Sequence, residues 1–232
     1  EQRLEDADST KVLGYQWYPR DDLLGILPPK GVENKPTTKR TLLAMLAAIF
    51  DPLGLISPFL AKSRMLLQRI WLTGLEWDEK LPKELQSEAD LWYENLTFLK
   101  DFRTPRNAVN GKLQAIHIFV DSSADCYAAV AYAVGNLSSN ILMSKARVHP
   151  NSPKMSIPRK ELQACVLGSK IGAKLKRLYP DVPIHYWSDS LDALCWIKND
   201  TRNYKEYVGN RASYIHERSV ISNWQHIGTD SN

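Results

Sequence analysis

The chain has 232 residues, 44% hydrophobic and 24% charged, with a formal net charge of +4 and an isoelectric point near 8.9. This is ordinary for a soluble globular protein of one large or two small domains, and the charge is compatible with a polyanionic partner without demanding one. Three widely spaced cysteines with no Cys-x-x-Cys pair argue against a disulfide framework and a zinc site and suit a reducing compartment; Cys126 and Cys195, set in apolar patterns, are expected in the core.

In chain order, residues 11–27 read as two short strands around a Pro19-Arg20-Asp21-Asp22 turn, followed by a loop with Pro28, Pro29, Gly31 and Pro36. Thr37 or Thr38 then caps a helix over 39–50, where Leu42, Leu43, Leu46 and Ile49 recur at helical spacing, and Asp51-Pro52-Leu53-Gly54 breaks it. Further helices are expected over 58–72 and 83–100. The polar, breaker-rich stretch 105–111 marks a boundary between a helical half and an α/β half. Beyond it come strands over 114–121, 126–134 and 140–147, a helix over 159–178 and a strand over 184–189. Helices over 191–199 and 204–218 and a strand over 223–227 complete the pattern. Three consecutive antiparallel strands, then a helix and a crossover strand, predict a mixed sheet with flanking helices. The longest apolar run, 42–50, is too short to span a bilayer, and no signal peptide is visible. The chain begins without Met and ends abruptly at Asn232, as a segment of a longer protein would.

Three carboxylates stand in matching contexts. Asp121 closes the apolar run that begins at Gln114, Glu161 opens a helix in Ile157-Pro158-Arg159-Lys160-Glu161-Leu162, and Asp189 closes Ile184-His185-Tyr186-Trp187-Ser188-Asp189. Each has a simpler reading: Asp189 would cap the helix beginning at Leu191, Glu161 would favour a helix dipole, and Asp121 would be a turn residue. Together they can converge from two strand ends and one helix head, and converged acids repel one another unless cations sit among them. Ala164, Leu167, Ile171, Leu175 and Leu178 form a stripe that packs on a sheet, with Glu161 at its head. Two Asp and this Glu could hold two Mg²⁺ roughly 3.5–4 Å apart for in-line phosphodiester cleavage.

On these residues the chain resembles a ribonuclease H domain, whose acids follow the order Asp–Glu–Asp; integrases and transposases place their Glu last. The wording of Pro158-Arg159-Lys160-Glu161-Leu162, Tyr207-Val208-Gly209-Asn210-Arg211 and Trp224-Gln225-His226-Ile227-Gly228-Thr229 is similar to the ribonuclease H of BEL/Pao retrotransposons. Lys11-Val12-Leu13-Gly14-Tyr15-Gln16-Trp17 resembles a primer-grip hairpin, and the stretch from Thr38 through Asp51-Pro52-Leu53-Gly54-Leu55-Ile56-Ser57-Pro58 resembles the thumb segment of Pao-type polyproteins. The resemblance implies that 1–35 ends a reverse transcriptase palm, 36–106 forms a helical thumb and connection, and 112–232 forms a truncated ribonuclease H-like domain. It implies no polymerase site in this chain and Mg²⁺-dependent cleavage of RNA in RNA–DNA hybrids by Asp121, Glu161 and Asp189, with Mn²⁺ as a substitute. His226 is implied as an accessory residue. The fourth acid of the family, normally after an Asn-Pro-Ala-Asp motif, does not occur before Asn232, and Asp230 is a poor substitute, so impaired hydrolysis is expected.

The implied partners are an RNA–DNA hybrid or other nucleic acid and the remainder of the pol polyprotein, with no membrane. The implied location is the cytoplasmic retrotransposon particle or the nucleus, without secretion. Phosphate contacts are expected from Lys39, Arg40, Lys62, Arg64 and Arg69 on the thumb-like helices and from Lys145, Arg147, Lys154, Arg159 and Lys160 ahead of Glu161. Lys170, Lys174, Lys176 and Arg177 are read as a solvated face. A competing expectation is an inactive remnant that only binds nucleic acid or serves as a scaffold. The region around Asp51 also carries a Pao peptidase label, but Asp51-Pro52-Leu53-Gly54 lacks the hydroxyl residue after the acid and the second copy that an aspartic dyad requires.

Overall fold

A computed structural model describes residues 9–29, 34–151, 155–228 and 230. The chain divides into two compact units, one holding the described residues up to Pro52 together with Ile56–Asn107, the other Leu53–Leu55 together with the described residues from Ala108 onward. Lys154, Gly31 and Thr229, singled out in the sequence, lie outside the described residues.

The first unit carries strands β1 (Thr10–Val12), β2 (Tyr15–Tyr18) and β3 (Leu23–Gly25). There are three strands where the sequence suggested two, because Leu13 and Gly14 adopt φ of 48° and 88°. Val12 pairs with Tyr15 across them, a two-residue turn whose left-handed residues match strand twist. Helix α1 (Lys39–Ala48) is capped by Thr38, whose side chain and that of Thr41 each accept from the other's backbone N–H. The helix ends before Asp51, so Asp51 does not terminate it. Instead the Asp51 carboxylate accepts from the Tyr15 hydroxyl and the Ile56 N–H, each at 3.0 Å, and fixes the entry to α2 (Ser57–Leu72). Helix α3 (Lys83–Asn95) gives way to a 3₁₀ turn at Leu96–Asp101 within the span expected to be helical. Strand β4 (Thr104–Pro105) then pairs with β3, giving the order β1-β2-β3-β4.

The second unit is built on a five-stranded sheet. Strands β5 (Leu113–Ser122), β6 (Cys126–Gly135) and β7 (Ser139–Val148) run antiparallel; after helix α4 (Ile157–Leu178) come β8 (Ile184–Ser188), α5 (Leu191–Lys198), α6 (Glu206–His216) and β9 (Trp224–His226). The order is β7-β6-β5-β8-β9, with β5–β8 and β8–β9 parallel. This mixed sheet with flanking helices, preceded by a mainly helical region, is the architecture expected from the sequence.

One face of β5 and β6 buries Ile116, Ile118, Val120, Ala129, Ala131 and Ala133 at period two. Against it, α4 buries Leu162, Ala164, Cys165, Gly168, Ile171, Gly172 and Leu175. Small residues bring the helix close to the sheet: a Cβ on Gly168 would lie 2.5 Å from Val120 Cγ1, and one on Gly172 would lie 1.9 Å from the Tyr186 hydroxyl. The stripe stops at Leu175; Leu178, the last helical residue, is 63% exposed rather than buried. The cysteines also differ from expectation. Cys165 is fully buried, whereas Cys126 is half-buried and Cys195 exposed. The inward positions of α5 are Ala193, Leu194 and Ile197, which puts Cys195 on the opposite side of the helix.

Candidate metal centre

Parallel pairing of β5 and β8 sets the carboxyl ends of the two strands side by side, with Phe119 opposite Trp187. Asp121 sits two residues on in β5, and Asp189 follows β8 directly. Glu161 lies on the second turn of α4, held over these strand ends by the close helix–sheet packing. One ligand oxygen from each of Asp121, Glu161 and Asp189 lies within 4.8 Å of the others.

The geometry removes the simpler readings of Asp189 and Glu161. The N-cap of α5 is Ser190, whose hydroxyl accepts from the Ala193 N–H at 3.2 Å, so Asp189 is not consumed as a cap. Because α4 begins at Ile157, Glu161 is beyond the first turn and is buried at 7% exposure. Asp121 is still within β5, with one carboxylate oxygen accepting from the Ser122 N–H at 2.6 Å.

Glu161 carries the electrostatic signature of the site. Burial, then the charges of Asp121 and Asp189, push its carboxyl up to about 8 from an ordinary 4.5, against a backbone bond from Ser122 that lowers it. Its Oε2 is buried without a hydrogen-bond partner. A buried acceptor with no donor, facing two more acids, is the environment that a divalent cation satisfies, and oxygen-only donors suit a hard ion such as Mg²⁺, Mn²⁺ or Ca²⁺.

The other sequence candidates are dispersed. His226 is exposed at the end of β9, paired with Ser188, one residue before Asp189. Lys39 is buried: its ammonium donates to the Leu75 carbonyl and lies 4.4 Å from the Trp71 ring centroid and 5.4 Å from that of Trp77. It is a packing residue because two indole faces and a carbonyl replace its water. Arg40 forms a two-pronged bond to Asp78 and Arg69 one to Glu88 at the surface. Lys62, Arg64, Lys145 and Arg147 are exposed. Arg159 is partly buried, its guanidinium 5.1 Å from the Tyr207 ring centroid.

Sequence reasoning missed a polar chain beside the acids. His149, 5% exposed, meets the Ser122 hydroxyl through Nε2 at 2.9 Å and Gln163 Oε1 through Nδ1 at 3.1 Å. Burial holds this imidazole below its usual value, with the nearby Lys160 charge acting the same way. The ring thus ties the residue after Asp121 to the residue two beyond Glu161. Only the Ser-Ser after Asp121 hinted at it; a lone His at a strand end carries no periodic signal.

The family model for the Pao retrotransposon-like RNaseH-like domain matches residues 38–190. No curated protein matches the chain. Among solved structures, the foamy viral protease-reverse transcriptase in complex with an RNA/DNA hybrid has a TM-score of 0.62 at 14% identity, over 95% of this chain and 29% of the viral one. The foamy viral protease-reverse transcriptase dRH with double-stranded DNA gives 0.57 at 12%, over 95% and 37%. A further complex of the viral enzyme with double-stranded DNA gives 0.56 at 12%, over 95% and 44%. The chain therefore spans less than half the length of these viral proteins, and at such identities the likeness is one of fold.

Proposed function

We propose that this chain, which belongs to the Pao retrotransposon-like RNaseH-like domain family, cleaves the RNA strand of RNA–DNA hybrids as part of a retroelement reverse transcriptase. The observation that carries this reading is the convergence of Asp121, Glu161 and Asp189 within 4.8 Å, with Glu161 Oε2 buried and unpartnered. Bound there, two Mg²⁺, or Mn²⁺ in their place, supply an activated water and charge neutralisation at the leaving oxygen. The protein's own part is positional. Asp121 and Asp189, exposed and half-exposed, together with the buried Glu161 would hold the ions. The His149 chain holds Ser122 and Gln163, and through them the backbone that bears the acids, in one arrangement. Among the described residues Asp230 does not join the cluster.

Residues 1–35 are assigned to the end of a palm and 36–106 to a thumb and connection, with 112–232 as the nuclease domain. The viral neighbours are complexes with an RNA/DNA hybrid and with double-stranded DNA, which supports a duplex partner and a polyprotein context. Lys62, Arg64, Lys145, Arg147 and Arg159 supply phosphate contacts; Arg40 and Arg69 would exchange a carboxylate for a phosphate, and Lys39 leaves the set because it is buried. His226, exposed and paired with Ser188, is the accessory residue of this reading. The proposed location is a cytoplasmic particle or the nucleus. An aspartic peptidase is not supported, because Asp51 is engaged with Tyr15 and Ile56.

The test is cleavage of a hybrid labelled on its RNA strand, with Mg²⁺ and with chelator, in the parent and in Asp121→Asn/Asp189→Asn. Metal-dependent shortening of RNA that disappears in the double variant is expected. Cleavage surviving that variant removes the metal site, and hybrid binding without cleavage in the parent leaves an inactive binding module.

A further inference from the structure

Away from the acids, the second unit holds a cavity of about 350 Å³ between the end of α4, the start of β8 and the segment that follows α6. Ile184, which opens β8, lines this cavity, whereas Asp189 follows the other end of the strand. At about 3.3 Å per residue the two lie roughly 16 Å apart. The volume is in the range of small-ligand sites.

The cavity wall carries a buried hydroxyl with nothing to bond. Tyr186 is 3% exposed, and its ring stacks on Trp224 with centroids 4.5 Å apart. Its phenol tip reaches α4 at the bare backbone of Gly172. Among the described residues that hydroxyl has no hydrogen-bond partner, and burial alone pushes it up to about 12, so it stays a donor at neutral pH. Lys176, one turn beyond Gly172 on the same side of α4, lines the same cavity. Its ammonium donates to the Val182 carbonyl at 3.2 Å, which holds it in place with N–H groups to spare.

The rest of the lining leaves that ammonium uncompensated. Among the described residues no ion pair engages Lys176, whereas Glu217 and Arg218 pair with each other at 2.7 Å. The His216 ring is bonded to the Ile197 carbonyl. Pro183, Ile184 and Val220 supply an apolar wall. One unpaired cation and one unused O–H donor beside an apolar wall are complementary to a carboxylate on an apolar body. We propose that this cavity binds a small monocarboxylate with a compact apolar body, whose carboxylate accepts from the Tyr186 hydroxyl and the Lys176 ammonium. The ligand joins the start of β8 to the ends of α4 and α6 and stabilises the folded chain. Lys176, expected from sequence to be merely solvated, gains a role.

The experiment titrates benzoate into the metal-free chain by NMR, with benzamide (the ring without the charge) and acetate (the charge without the ring) as comparisons. The parent, Tyr186→Phe, Lys176→Gln and Lys174→Gln are measured; Lys174 is exposed on the same helix outside the cavity. Saturable benzoate shifts are expected around residues 176, 184–186 and 217–220. Tyr186→Phe and Lys176→Gln should each weaken benzoate about tenfold through loss of a charge-assisted hydrogen bond, and Lys174→Gln should not. Benzamide and acetate should bind about tenfold more weakly than benzoate, or worse. Without ligand, Tyr186→Phe should melt no lower than the parent, because it removes a hydroxyl that bonds nothing. A lower melting temperature gives that hydroxyl a structural duty and overturns it as the ligand's donor. Absence of saturable shifts at millimolar benzoate, or equal affinity across all four proteins, overturns the site. Benzamide binding as tightly as benzoate overturns the carboxylate. None of these readouts uses hybrid or metal, so failure of the nuclease reading leaves the test intact.

Discussion

Glu161→Gln separates a buried acid kept for metal from one kept for packing, and the pH dependence of stability reads the difference. In the metal-free protein the Glu161 carboxyl is pushed up to about 8 from an ordinary 4.5 by burial, Asp121 and Asp189. Between those values the folded state holds a proton that the unfolded chain has released, so the unfolding free energy falls as pH rises through that window. At about 1.4 kcal/mol per pH unit the whole window is worth on the order of 5 kcal/mol, and relaxation around the charged form makes about half of that the working expectation. Glutamine keeps the shape and has no proton to lose. Urea unfolding followed by circular dichroism in chelator at pH 5, 6.5 and 8 should give near-equal stabilities at pH 5, with the variant more stable at pH 8 by about 2 to 4 kcal/mol. His149 and His117, both held below their usual value mainly by burial, contribute stability above the unfolded imidazole range and lose it as pH falls. That opposite trend is common to both proteins and cancels in the difference. Mg²⁺ at pH 8 should then stabilise the parent and not the variant. Parallel pH profiles for the two proteins would refute the reasoning.

Three further outcomes test the local arguments. Ser190→Ala should lower stability by about 1 kcal/mol through loss of the α5 cap, whereas Asp189→Asn should not lower the melting temperature while reducing hybrid cleavage at least a hundredfold. A thermal shift in Asp189→Asn matching that of Ser190→Ala would return Asp189 to the capping role. Gly172→Ala should destabilise by 3 kcal/mol or more, at or beyond the upper end of the roughly 1–3 kcal/mol typical of overpacking, because the new methyl would meet the buried Tyr186 hydroxyl; chemical denaturation measures it. Asp51→Ala should lower stability by roughly 1–3 kcal/mol through the lost bonds from Tyr15 and Ile56, with no effect on RNA cleavage.

The fold of the second unit was legible because its signals are periodic. Alternation along β5 and β6 and the apolar face of α4 place the sheet and its crossover helix. The fuller α4 stripe was not legible, since Gly168 and Gly172 carry no hydrophobic mark and matter only through what a side chain would strike. Boundaries failed where a short-range choice overrode the pattern: Leu13-Gly14 folded one expected strand into two, and a 3₁₀ turn replaced the end of the helix over 83–100. Lys39 was misjudged for another reason, because only tertiary packing reveals that two indoles take the place of its water.

The acids themselves could be found in the sequence, but their freedom could not. A carboxylate at a strand end or helix head commonly serves the backbone, and sequence gives no ground for choosing between that service and a ligand role. Here the structure supplies the ground through neighbours. Ser190 takes the cap that Asp189 would have filled, and the start of α4 at Ile157 moves Glu161 out of the first turn. Removing those local duties leaves three oxygens facing one another and one of them buried without a donor. Such an arrangement opposes folding in the absence of metal, since it raises the free energy of whichever carboxylate must stay charged. A divalent cation is a ligand whose charge and coordination would answer all three oxygens at once.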